Sequence, residues 1–80
     1  MSTRQRIVEY HMNRLSDKSA DIRLKTINEL VLLEAIEALD ALQDVFRNDP
    51  DAEVKRAAQH AGRKLYQIKL ANENAQDSQA

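Results

Sequence analysis

The sequence predicts an all-α protein of four antiparallel helices in a short right-handed stack, and three observations carry that expectation. The 80 residues include one Gly and one Pro, while Ala, Leu, Glu, Gln, Lys and Arg abound. These are the residues that lose least on entering a helix. Apolar residues recur at helical spacing in four successive segments. The third observation is that part of the chain repeats itself after 32 residues, a period that belongs to helical solenoids.

Helix 1 is expected over residues 3–15. Ser2 or Thr3 serves as N-cap, and Ile7, Val8, His11, Met12 and Leu15 share one face. The polar run Ser16–Ser19 breaks it, and Ser19 or Asp17 can cap helix 2. There Ile22, Thr26, Ile27, Leu30, Val31 and Leu33 form a broad stripe, with Leu24 and Leu32 partly outside it. From Glu34 the apolar phase shifts to Ala35, Ala38, Leu39, Leu42, Val45 and Phe46. The shift predicts a tight turn near residues 33–35, although no Gly or Pro marks it and one continuous bent helix fits the pattern too. Asn48, Asp49, Pro50 and Asp51 end helix 3, with Asp49 suited to the N-cap of helix 4 and Pro50 to its first turn. Helix 4 presents Val54, Ala57, Ala58, Ala61, Leu65 and Ile68, a face of small residues that admits a close neighbour. It should fade near Leu70, leaving a helical domain over 1–70 and a disordered polar tail over 71–80.

The repeat aligns Asp49, Ala52, Glu53, Val54, Lys55 and Leu65 with Asp17, Ala20, Asp21, Ile22, Arg23 and Leu33. The stretch from Asp17 to Ile68 resembles the HEAT repeat family, in particular the short HEAT-like repeats also found in phycobilin lyases. The resemblance implies that an Asp before the first helix and a basic residue six positions later form a ladder between repeats. Asp17 with Arg23 and Asp49 with Lys55 have that spacing. It also implies small residues where Ala58 and Ala61 stand; Thr26 and Glu29 occupy those places in the first copy. The Gly often found between the paired helices is missing at Leu33–Ala35. One complete hairpin and the first helix of another make only a fragment of a solenoid, so its ends need covering. Helix 1 can cap one end. The end formed by helices 3 and 4 is expected to meet a second copy of the chain or another protein.

Composition narrows the function. A formal net charge of −1 lacks the basic excess usual in nucleic-acid-binding domains. Without cysteine there is no thiolate ligand or thiol nucleophile. The longest apolar run, Leu30–Leu33, is far short of the roughly 20 residues that span a bilayer, and with no apolar leader a cytoplasmic location is the expectation. His11 reads as a packed or rim histidine, and His60 lies between Arg56 and Lys64, so neither suggests a metal site. No catalytic triad, phosphate loop or aromatic stacking platform is visible.

The expected function is therefore noncatalytic protein binding, as a small adaptor or assembly factor without cofactor or metal. The candidate contact residues are Tyr10 and Tyr66 at the edges of their apolar faces, the incompletely hidden Leu24 and Leu32, and the acidic row Glu37, Asp40 and Asp44. The alternative is nucleic-acid binding through one side of helix 4, by Lys55, Arg56, Arg63 and Lys64. Against it, Asp49, Asp51 and Glu53 crowd the start of that helix and would repel phosphate.

Overall fold

The structure, a computed structural model, describes residues 2–78. It has four α-helices: α1 (Thr3–Arg14), α2 (Ala20–Leu32), α3 (Leu39–Asn48) and α4 (Ala52–Ser78), with a 3-10 turn at Ile36–Ala38 ahead of α3. No strand occurs among the described residues. α4 is the spine. It packs along α3 on one side and α2 on the other, while α1 lies against α2 and the 3-10 turn.

α1, α2 and α4 each start where a side chain satisfies exposed amides, whereas α3 follows the 3-10 turn without a side-chain cap. At α1, Ser2 and Gln5 form a reciprocal capping box. At α2 the cap is Ser19, whose hydroxyl accepts from the Ile22 amide, while Asp17 accepts from the Ser19 amide at 2.9 Å. The start of α4 reproduces this arrangement 32 residues later. Asp51 accepts from the Val54 amide at 3.0 Å, and Asp49 accepts from the Asp51 amide at 2.9 Å. The cap is thus Asp51, not Asp49 as the sequence suggested, and Pro50 precedes the helix instead of opening it. The reason is that Asp49 is buried and engaged elsewhere, in the ion pair described below.

The expected turn between helices 2 and 3 is present. Glu34 has φ 51°, in the left-handed region. The Glu34 amide donates to the Val31 carbonyl at 2.9 Å and the Ala35 amide to the Leu30 carbonyl at 3.0 Å. This pair of bonds is the Schellman motif that closes a helix, usually with Gly at the left-handed position. Here a glutamate holds the place of the missing Gly.

The core joins all four helices. Val8, Leu15, Ile27, Leu30, Ala35, Ala38, Leu42, Val54, Ala58, Ala61 and Leu65 are buried. The apolar stripes read from the sequence supply nearly all of it, with two shortfalls: Ile7 and Phe46 remain 42% and 39% exposed. Thr26 is also buried, and its hydroxyl donates to the Ile22 carbonyl at 2.7 Å, so the polar atom costs little.

α4 differs from expectation in length. It does not fade near Leu70 but continues to Ser78, so part of the expected tail is helical, and residues 79 and 80 lie outside the described residues. Residues 69–78 contain no Gly, Pro or β-branched side chain to stop it, and Lys69 pairs with Glu73 one turn on. At 1.5 Å per residue the helix is about 40 Å long, close to the molecule's 45 Å longest dimension.

Candidate functional site

Two ion pairs organise the loops. Arg23 forks onto Asp49, donating from Nε to Oδ2 at 2.8 Å and from Nη2 to Oδ1 at 3.0 Å. Its remaining nitrogen, Nη1, donates to the Asp17 and Lys18 carbonyls at 2.8 and 3.1 Å. A buried guanidinium needs this degree of satisfaction. No buried side-chain nitrogen or oxygen among the described residues lacks a partner. Burial pushes the Asp49 carboxyl up, but hydrogen bonds from Arg23 and the Asp51 amide, with the charges of Arg23 and Lys55, more than offset it and hold the group below its ordinary range. The pair therefore ties the first copy of the 32-residue repeat to the second. The contact runs from Arg23 to Asp49, and Arg23 meets the backbone, not the carboxylate, of Asp17.

The second pair is at the surface. Arg4 on α1 bonds Glu37 in the 3-10 turn and reaches the Leu33 and Glu34 carbonyls at 3.3 and 3.4 Å. The hydrogen bond from Arg4 lowers the Glu37 carboxyl below its ordinary value. Both side chains stay well exposed, so the pair adds little stability to the packing of α1, which rests on Val8, Met12 and Leu15 in the core.

The most apolar concavity lies between α3 and α4. It is an open groove of about 440 Å³ with Leu39, Asp40, Gln43 and Phe46 on the α3 wall and Gln59, Gly62, Arg63, Tyr66 and Lys69 on the α4 wall. Leu42 and Ala58 form its floor. Phe46 and Tyr66 are 39% and 52% exposed. A Cβ at Gly62 would meet nothing within 4 Å, so the middle of the α4 wall stands open. The groove forms because α3 is short and covers only one flank of α4.

This placement divides the residues singled out from sequence. Asp40 and Tyr66 share the groove. Glu37 is held by Arg4, and Asp44 lines a separate open depression with Asn48 and Pro50. Tyr10 is on α1, with the Arg14 guanidinium 5.4 Å from its ring and His11 edge-on at 5.3 Å. Leu24 packs on the core. Leu32 is 76% exposed at the end of α2, away from the groove residues.

The basic residues of α4 do not form one strip, contrary to the sequence reading. At about 100° per residue, Lys55 and Lys64 fall on opposite sides of the helix. Lys55 acts on Asp49, and Arg63 belongs to the groove. The sequence reading counted Phe46 and Leu39 as core. They sit about 40° and 60° round α3 from the buried Leu42, and that edge position was the available signal. Gly62, Gln43 and Lys69 had none, because only the packing of α3 on α4 gives them a common site. No group of three or more His, Cys, Asp or Glu side chains suited to a metal exists among the described residues, and no helix there is long and apolar enough to cross a membrane. Comparison with protein-family profiles, with curated proteins and with solved structures finds no match to this chain.

Proposed function

We propose that this protein is a noncatalytic protein-docking module, a short HEAT-like stack whose binding face is the α3–α4 groove. The observation that carries the reading is the half-exposed pair Phe46 and Tyr66 flanking an apolar trough. Aromatic side chains that are neither buried nor fully solvated, at the rim of a concave apolar surface, are the usual anchors of protein interfaces. The HEAT-like character rests on two supports: the helix-capping pattern that recurs at the 32-residue offset, and the Arg23–Asp49 bridge between copies. A solenoid fragment of this kind has an unfinished end, and α3 with α4 form it.

The test is site-specific photo-crosslinking in the producing cells. A benzoyl-phenylalanine at position 66 should yield a discrete adduct with a protein chain. The same group at Asn28, exposed on α2, should not. An adduct at position 28 with none at 66 would remove the groove as the docking face.

A further inference from the structure

We infer that the occupant of the α3–α4 groove is a second copy of this chain, joined through a two-fold axis running along the groove. The inference rests on the docking reading above and names its partner. Its basis is the charge on the two walls. The α3 wall carries Asp40; the α4 wall carries Arg63 and Lys69. Asp40 and Arg63 have no ion-pair partner within 4.0 Å among the described residues, and neither belongs to the buried bridges. The groove therefore has one acidic edge, one basic edge and an apolar floor.

The helix geometry sets the two charges at matching heights. α3 and α4 are joined by only Asp49–Asp51, so they run antiparallel. By helix rise, Asp40 stands about 12 Å from that turn and Arg63 about 16 Å, a difference of less than one helical turn. An axis along the groove preserves height and exchanges walls. Asp40 of one copy then faces Arg63 of the other, twice over, and the apolar floors meet between them. Such self-complementarity is what an isologous interface requires, since each residue of the patch must suit its own opposite number in the partner. An unrelated partner would impose no such matching. The halves also gain apolar burial, which a chain of this size needs more than most.

The experiment is light scattering of the full-length chain over a micromolar to millimolar range, with far-UV circular dichroism to confirm that each variant folds. Both charged side chains are exposed, so reversing either leaves the core intact. Wild-type protein should be dimeric at the upper concentrations. Asp40→Arg sets two arginines against each other at both contacts, and Arg63→Asp does the same with aspartates. Each should weaken dimerisation at least tenfold. Mixing the two variants in equal amounts should restore a dimer, because every contact then joins opposite charges; the double variant should also dimerise. A wild-type monomer throughout would overturn the inference, as would charge-reversed variants that dimerise undiminished or a mixture that stays monomeric. A crosslink from position 66 to a different protein would likewise defeat it while leaving the docking function standing.

Discussion

Glu34 carries a backbone conformation that ordinarily belongs to glycine, and it does so at the one turn that separates α2 from α3. A side chain in the left-handed region costs roughly 1 kcal/mol against Gly. Glu34→Gly should therefore raise stability by at most about 0.5 kcal/mol, after allowance for the greater chain entropy of Gly when unfolded. Urea denaturation measures this, and a destabilised variant would mean that the Glu34 side chain supports the turn. Asp49 offers a second residue-scale prediction. Its carboxyl titrates below the ordinary value of 3.8 in the folded protein, so the native state binds fewer protons than the unfolded chain. The stability this contributes is complete above the ordinary carboxylate range and is lost as pH falls from there through the lowered native value. Asp49→Asn should be less stable at neutral pH, because the Arg23 guanidinium loses its counter-charge, and its stability should decline less steeply in acid. Parallel decline of the two proteins in acid urea titrations would count against the bridge.

At the scale of the helices, α4 has the most to reveal. Gly62 sits in the interior of a 27-residue helix with open space where a side chain would go. Gly62→Ala should stabilise the fold by about 0.5–1 kcal/mol, seen as a raised denaturation midpoint at low micromolar concentration. No gain would show that α4 is distorted at that point. The length of α4 and the brevity of α3 together make the groove: a ten-residue α3 covers one flank of the spine and stops. α1 contributes differently, since its Arg4 reaches the closing carbonyls of α2 as well as Glu37. That contact ties the start of α1 to the turn between α2 and α3, at residues that do not line the groove.

For the whole molecule, the controlling fact is the thin margin of an 80-residue core. Stability of roughly 4–12 kcal/mol is ordinary at this length, and Leu65 is fully buried where α4 meets its neighbours. Leu65→Ala should cost about 2–5 kcal/mol, a large share of that margin, read as a lowered urea midpoint by circular dichroism. A loss below 1 kcal/mol would mean that the core collapses around the gap. Self-association through the groove should also make the wild-type Tm rise with protein concentration, because a dimer of folded chains draws the equilibrium away from the unfolded state. The Asp40→Arg variant should lack that dependence.

The helices, their order and most of the core followed from the sequence alone. Apolar spacing near 3.6 residues, caps at Ser2 and Ser19 and the break around Pro50 are local signals, and local signals are complete within a few residues. The turn at residues 33–35 was legible from the phase shift, even though Glu34 took the place of its usual glycine. The groove was not legible in the same way. Asp40 and Tyr66 could be marked singly, but Phe46 read as core and Gly62 carried no signal. Whether an edge residue is buried depends on how far the neighbouring helix extends over it, which no spacing within one helix encodes. The ladder spacing marked Arg23 and Asp49 as members of a contact between copies, but which of them meet was decided by tertiary structure: Asp49 lies 26 positions from Arg23, and only the packing of α2 beside α4 brings the two loops together.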